Sequence, residues 1–403
     1  MLSRIRTDFS ASAAIAGIIA LVATYSGPVL IVVQAAQAGH LSQSLLSTWI
    51  FAVSIGAGTL SLWLSLRHKI PVIGAWSTPG VALLMTGLAQ YPFSKVIGCY
   101  LVLAVVVALL GMSGLFTRLM SRLPAHLLSA MIAGVLFEFC TKIFQSLQSF
   151  PTVVLPVIVS YVVCRRIVPR YAVALALLIG LIFALPGLNF ASHNLNLGLA
   201  MPEMTLPSFS TEALLGLGLP LFLLALTQHA TSIHILRNAG YDISPKSVVG
   251  VSGLISIPLA LFGSSGANPA AIVGALCASP ECHEDPSRRY ISGVVCGLGY
   301  ICIGVFGASV VALFSLLPNG LTTTLAGLAL LGTLVSSLTA SLSSEIHRES
   351  SLITFVVTVS GMSFFGLGSA LWGLVAGVLF SFALSWKGSF KTVKRADQQV
   401  GIR

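Results

Sequence analysis

Apolar residues in this chain fall into long runs that are separated by short polar stretches. A run of about 20 apolar residues is long enough to cross a bilayer as a helix. The chain contains fourteen such candidate segments, at residues 11–36, 44–66, 70–88, 93–113, 124–146, 151–164, 170–187, 212–236, 246–262, 262–279, 289–316, 320–342, 350–366 and 368–386. The pattern therefore predicts an all-α integral membrane protein with fourteen transmembrane segments.

The third and tenth segments are interrupted near their middle. The third contains AWSTPG at 75–80, and the tenth contains SSGANP at 264–269. In each, a short polar residue, Thr78 or Asn268, precedes a proline, which is the pattern of a helix cap followed by proline at the first helical position. A helix that begins inside the membrane turns its free N–H groups and the positive end of its dipole toward a cavity, which favours an anion. Paired broken helices in matching places of two halves are typical of secondary transporters.

The charges predict the orientation. If the N-terminus is cytoplasmic, all of the 21 Lys and Arg residues except Lys95 and Lys142 fall on the cytoplasmic side. This split agrees with the positive-inside rule and predicts a multi-pass protein of the cell inner membrane with both termini in the cytoplasm. Seven segments per half is an odd number, so the second half inserts upside down relative to the first. The sequence thus predicts a 7+7 inverted repeat.

Composition excludes several other classes of protein. Hydrophobic residues make up 56% of the chain and charged residues only 8%, against about 25% charged in soluble domains. We therefore expect the protein to be embedded in a lipid bilayer. The net charge of +10 is spread over short loops, so no nucleic-acid partner is expected. The seven cysteines lack the paired spacing of a metal site or disulfide framework. No metal, cofactor or enzymatic activity is expected.

Several longer motifs resemble the bacterial benzoate/proton symporter family. They lie at 75–80 (AWSTPG), 280–290 (PECHEDPSRRY), 327–332 (GLALLG) and 368–377 (GSALWGLVAG). The resemblance extends over nearly the whole chain. It implies a fold shared with nucleobase permeases and sulfate-type anion transporters, in which a core of segments 1–4 and 8–11 works against a gate of segments 5–7 and 12–14.

This resemblance sets the expected domain boundaries. The core comprises residues 1–123 and 212–317, and the gate comprises 124–190 and 318–388. Residues 191–211 form the outer connection between the repeats, and 389–403 form a basic cytoplasmic tail.

The candidate substrate site combines the two interruptions with polar residues of segments one and eight. Its members are Tyr25, Ser26, Trp76, Ser77, Thr78, Gly80, Gln228, His229, Ser265, Gly266 and Asn268. We expect Tyr25 and Trp76 to contact an aromatic ring, and Thr78 and Asn268 to cap the half-helices.

Two residues are candidates for proton coupling. His229 titrates near neutral pH, and Glu138 is an acid inside a predicted span. The family usually has asparagine where this chain has His229. A purely structural role is open for both: His229 could be a hydrogen-bonded buried histidine, and Glu138 could be neutralised by Lys142 at the i+4 position.

The resemblance implies uptake of benzoate or a similar aromatic carboxylate with protons, by alternating access. One alternative is a nucleobase proton symporter of the same fold, which typically uses carboxylates to bind ring N–H groups. The site-facing stretches here contain no Asp or Glu, which favours an anionic substrate. A second alternative is an anion channel or structural membrane protein. The sequence leaves open whether the protein forms a homodimer.

Overall fold

The computed structural model describes residues 8–184 and 198–400. These residues are mainly helical, and the helices in chain order are α1 Ala11–Tyr25, α2 Pro28–Ala38, α3 Gln43–His68, α4 Thr78–Gln90, α5 Phe93–Ser113, α6 Phe116–Met120, α7 Ala125–Ser149, α8 Pro151–Ile167, α9 Ala172–Ala184, α10 Thr211–Ala213, α11 Leu219–Asn238, α12 Pro245–Ala260, α13 Ala271–Ala278, α14 Tyr290–Val305, α15 Gly307–Ser315, α16 Asn319–Leu342, α17 Arg348–Val359 and α18 Ser369–Val400. The predicted outer connection at 191–211 lies partly outside the described residues.

Membrane-spanning helices are confirmed, although fewer than fourteen are long enough by themselves. Within the described residues, 6 helices are long and apolar enough to cross a membrane, and a bent pair raises the number to 7. The other predicted segments contain shorter helices, such as α9, α12 and the apolar part of α18. The protein is therefore a multi-pass membrane protein, and the fourteen-segment inverted repeat stays a prediction.

Both predicted interruptions are present. The chain is extended before α4 and before α13, and these extended stretches pair as a two-stranded antiparallel sheet of β1 (Gly74–Ala75) and β2 (Asn268–Pro269). Gly74 lies opposite Pro269, and Ala75 lies opposite Asn268. Pairing satisfies backbone groups that would otherwise be unbonded in the middle of the membrane. Because the strands are antiparallel, the helices that follow them leave in opposite directions.

Helices of the first half pack closely on helices of the second. α3 packs on α14, α5 on α12, and α7 on α16. Glycine permits the closest of these contacts: a Cβ atom on Gly58 of α3 would lie 2.7 Å from the Gly297 carbonyl oxygen of α14. Small residues at such crossings let two backbones approach, which is a usual way of joining membrane helices. The chain halves are thus interlocked rather than side by side.

Two predicted segments differ from the structure. The segment predicted at 289–316 is bent by 73° between α14 and α15. At the bend, the Val305 carbonyl accepts a hydrogen bond from the Ala200 amide. In the segment predicted at 350–366, helix α17 ends at Val359. Helix α18 runs on to Val400 and so extends into the predicted cytoplasmic tail at 389–403, which stays a prediction.

The motif at 280–290 has a structural explanation. Arg289 is buried, and its guanidinium donates to three backbone carbonyls, those of Ala278 at 2.7 Å, His283 at 2.7 Å and Glu284 at 3.1 Å. Charged donors bind carbonyl oxygens about twice as strongly as neutral ones. Arg289 therefore fixes the loop after α13 and satisfies a carbonyl at the end of that short helix.

Candidate functional site

The cap of the first half-helix lies one residue earlier than we predicted. Ser77 is the residue that caps α4, because its hydroxyl accepts a hydrogen bond from the Gly80 amide at 3.0 Å. Thr78 is the first residue of the helix and is half-buried. The prediction that Thr78 is the cap was therefore wrong. Both residues have a hydroxyl, and the extended backbone of Ser77 puts its side chain in the capping position.

The second half-helix begins two residues later than predicted. Asn268 and Pro269 belong to β2, and α13 starts at Ala271 with Ala270 at the cap position. The prediction that Asn268 caps this helix was wrong, because its backbone is held in the sheet opposite Ala75. Ala270 makes no side-chain capping bond. The N-terminal amides of α13 therefore lack a side-chain cap, which leaves them available to an anion.

Three hydrogen-bond donors around these helix starts are buried and lack partners. They are the Trp76 indole Nε1, the Ser265 hydroxyl and the Asn268 side-chain nitrogen, none of which has a hydrogen-bond partner among the described residues. Asn268 is only 4% exposed. Leaving a buried polar group unbonded costs about 1–3 kcal/mol. Such groups near two helix starts indicate a site that a polar ligand or water completes.

Trp76, one of these donors, belongs to an aromatic wall. The Tyr25 and Trp76 rings meet edge to face with centroids 5.3 Å apart, and their predicted contact with a substrate ring stays a prediction. Tyr300 of α14 completes the wall, at 5.9 Å from Tyr25 and 5.8 Å from Trp76. The Tyr25 hydroxyl is directed toward Ser54 without reaching hydrogen-bond geometry. The sequence analysis missed Tyr300, whose only signal was a tyrosine in an otherwise apolar run.

The remaining residues of the first interruption and of α1 lie near this wall. Ser26 is half-buried in the break between α1 and α2. Gly80 allows the capping contact, since a Cβ atom there would lie 2.8 Å from the Ser77 hydroxyl. On the other interruption, Gly266 has a φ of +120°, which side chains rarely permit. The two glycines thus shape the backbone on either side of the candidate site.

His229 is buried and bonded at both ring nitrogens. It is 1% exposed, with Nδ1 2.6 Å from the Ala225 carbonyl and Nε2 2.9 Å from the Ser252 hydroxyl. Ser252 in turn donates to the carbonyl of Ala267, immediately before Asn268. A carbonyl only accepts hydrogen bonds, so the Ala225 contact places a proton on Nδ1. This connects His229 through a single serine to the extended segment of the second half.

The protonation of His229 decides how this network is satisfied. Ser252 has one hydroxyl proton but faces two acceptors when His229 is neutral, the Ala267 carbonyl and the Nε2 lone pair. When Nε2 also carries a proton, the imidazolium donates to Ser252 and Ser252 donates to Ala267. Only the charged form therefore satisfies every group. Ser252 and its neighbour Ser256, which accepts from the Ala267 amide at 3.0 Å, were missed by the sequence analysis.

A small cavity is lined by the serines of this network and by two of the three unpaired donors, Ser265 and Asn268. Its volume is about 10 Å³, and its walls include Ser252, Ser256, Ser265, Gly266 and Asn268. That is room for about one water molecule. The polar lining and the unpaired Ser265 and Asn268 donors suit such an occupant.

Gln228 and Glu138 are the remaining predicted site residues. Gln228 is half-buried on α11, and its side-chain oxygen has no partner among the described residues. Glu138 is 47% exposed and pairs with Lys142 at 3.1 Å, the arrangement considered as its structural alternative. It also lines a crevice of about 70 Å³ that lies against α4, α7 and α18. Its role in proton coupling stays a prediction.

Comparisons with known proteins identify the family. Residues 7–383 match the family model described as benzoate membrane transport protein. The chain belongs to the benzoate membrane transport protein family. A relative from Acinetobacter baylyi, "Benzoate membrane transport protein", is 38% identical over 95% of this chain and 98% of its own length. The Escherichia coli "Inner membrane protein YdcO" is 35% identical over 90% and 93%. The resemblance seen in the motifs is confirmed, and this family consists of transporters rather than enzymes.

Solved structures support the fold. The structure of SLC26A9 matches with a TM-score of 0.60 at 13% identity, covering 91% of this chain and 65% of that one. The transmembrane domain of the cyanobacterial bicarbonate transporter BicA matches with a TM-score of 0.58 at 14% identity, covering 91% and 97%. At this identity the likeness concerns the fold alone. It agrees with the predicted relation to sulfate-type anion transporters.

Proposed function

We propose that this protein imports benzoate or a similar aromatic carboxylate together with protons, by alternating access across the cell inner membrane. The observation that carries this proposal is the set of buried, unpartnered donors at the helix starts: Trp76, Ser265 and Asn268. None of the lining groups is an Asp or Glu. A site with spare donors and no negative charge suits an anion, whereas a nucleobase would need acceptors for its ring N–H groups.

The proposed substrate matches the two sides of the site. Its carboxylate accepts from Asn268, Ser265 and the N-terminal amides of α13, where the helix dipole is favourable. Its ring lies against the aromatic wall of Tyr25, Trp76 and Tyr300, whose edge-to-face packing an additional ring can extend. Ser77 contributes by holding the start of α4 in place.

His229 is the proposed proton carrier. Its charged form satisfies the Ser252–Ala267 connection, but a buried imidazolium without a counterion is costly. Among the described residues, no carboxylate forms an ion pair or hydrogen bond with His229. The incoming carboxylate supplies the missing negative charge, so the proton and the anion stabilise each other inside the protein. This gives a physical reason for transporting them together.

The movement and the topology belong to the same proposal. The proposed topology has fourteen segments and cytoplasmic termini. A core of residues 1–123 and 212–317 moves against a gate of residues 124–190 and 318–388. The antiparallel β1–β2 pair and the fold neighbours support this topology. A homodimer is compatible with this arrangement and is not needed for it.

Uptake into proteoliposomes tests the proposal. Labelled benzoate should accumulate when the lumen is alkaline relative to the medium, and a protonophore should abolish the accumulation. Protein-free liposomes are the required control, because neutral benzoic acid also diffuses through lipid. Benzoate flux that does not depend on the proton gradient would favour a channel. Uptake of uracil in place of benzoate would favour a nucleobase symporter.

A further inference from the structure

A cavity of about 460 Å³ lies between α1, α13 and the turn that joins α8 to α9. It is much larger than the 70 Å³ crevice on the side of Glu138. Its walls are apolar: Ile19 and Ala23 of α1, Val273 and Leu276 of α13, and Pro169 of the turn. Pockets for small ligands commonly have volumes of about 300–1,000 Å³. The cavity is therefore large enough for a single-ring molecule.

The cavity lies close to the level of the candidate substrate site along α1, on another face of that helix. Ala23 precedes Tyr25 by two residues, which is about 3 Å along the helix axis, and side chains two residues apart face different sides. Ile19 shares the face of Ala23 and lies about 6 Å farther from the level of the site. Val273 is the third residue of α13, the half-helix that follows Asn268. The cavity therefore lies between the level of the helix starts and the predicted cytoplasmic side.

Arg165 gives the cavity a positive charge. It lies near the end of α8 and lines the cavity, and its guanidinium reaches α16, where it would lie 3.7 Å from a Cβ atom on Gly332. No carboxylate of the described residues lies within ion-pair distance of Arg165. Glu281 and Ser279 also line the cavity, and Glu281 has an interaction of its own. An arginine fork facing apolar walls suits a carboxylate attached to an apolar body.

We propose that this cavity is a second binding site for the aromatic carboxylate, at which Arg165 binds the carboxylate and the α1 and α13 side chains contact the ring. The proposal rests on the proposed function, since it takes the same substrate class. It adds a stage between the central site and the cytoplasm. The second site raises the apparent affinity for benzoate that enters from the side of the membrane on which Arg165 lies. Benzoate from the opposite side reaches the central site first, so its apparent affinity does not depend on Arg165.

Right-side-out and inside-out membrane vesicles separate the two faces. Arg165→Gln should raise the benzoate concentration for half-maximal flux about threefold to tenfold on the Arg165 face, between the values of an exposed ion pair and a buried charged hydrogen bond. Flux from the opposite face at saturating benzoate should not change. Arg166→Gln is the matched control, because Arg166 is the next residue and does not line the cavity. Added salt should weaken wild-type binding on this face.

Arg165→Lys keeps the positive charge but loses the two parallel N–H donors of the guanidinium. Its benzoate concentration for half-maximal flux should lie between the values for wild type and Arg165→Gln. Arg165→Lys also provides the test if Arg165→Gln is poorly inserted. Equal half-saturation for wild type, Arg165→Gln and Arg165→Lys would overturn the second site, and so would an equal loss in Arg166→Gln. Failure of wild-type protein to carry benzoate from either face would instead overturn the proposed function.

Discussion

Replacing Asn268 with leucine should separate binding from stability. The Asn268 side-chain nitrogen is buried and unpartnered, so Asn268→Leu breaks no hydrogen bond of that donor within the described residues. The backbone pairing with Ala75 does not depend on the side chain. The free energy of unfolding should therefore not fall, whereas a lost charge-assisted hydrogen bond should cost about 1.5–3 kcal/mol of binding, or roughly 10- to 150-fold in affinity.

The assay is equilibrium binding of labelled benzoate to purified protein, with thermal unfolding measured on the same samples. Asn268→Asp keeps the side-chain size and replaces the donor by a negative charge, so its affinity should fall further than that of Asn268→Leu. Asn238→Leu is the matched control, because Asn238 is exposed at the end of α11 and bonded to His234 at 3.0 Å. Wild-type affinity in Asn268→Leu would refute the placement of the anion at this residue.

Three further substitutions test other parts of the site. Ser77→Ala removes the bond to the Gly80 amide and should lower the free energy of unfolding by about 1 kcal/mol; an unchanged denaturation midpoint would show that the cap is unimportant. His229→Asn cannot take up a proton, so uptake should no longer respond to an imposed proton gradient; an unchanged response would leave His229 with a structural role only. Glu138→Gln breaks a half-exposed pair with Lys142 worth about 0–1 kcal/mol, and proton-driven uptake should persist; loss of gradient coupling would make Glu138 the proton carrier instead.

Sequence patterns predicted that the two segments are interrupted, but not where each helix starts. Serine or asparagine near proline in an apolar run indicates a helix start because these residues cap and proline tolerates the first turn. The cap at Ser77 instead of Thr78 depends on a one-residue difference in backbone conformation. Asn268 failed as a cap because a strand of the other half, distant in sequence, pairs with it. Tertiary pairing of this kind leaves no local signal.

The parts of the site that the sequence missed come from helices packed around the interruptions. Tyr300 on α14 contacts Tyr25 and Trp76, and Ser252 on α12 contacts His229. A single tyrosine or serine in an apolar segment is usual in membrane helices, so composition does not mark it. Only the packing of α12 and α14 against the extended stretches brings these side chains to the site.

Long-range contacts also explain why some predicted segments are not single straight helices. Runs of hydrophobic residues predicted fourteen segments, and they are interrupted or bent where backbone groups find partners outside the helix. The bend after α14, where the Ala200 amide bonds to the Val305 carbonyl, is one such place. Hydropathy measures the apolar length of a segment and carries no information on these bonds.

Competition between benzoate and benzamide tests the central claim most directly, because the two molecules match in shape and differ in charge. A site of buried donors and helix N-termini should prefer the ionised acid by about 10- to 150-fold at neutral pH, the value of one charge-assisted hydrogen bond. The measurement is displacement of labelled benzoate from purified protein by each compound. A preference of at least tenfold for benzoate is the result that we predict. Equal displacement by benzamide, or tighter binding of uracil than of benzoate, would contradict an anion site at these residues.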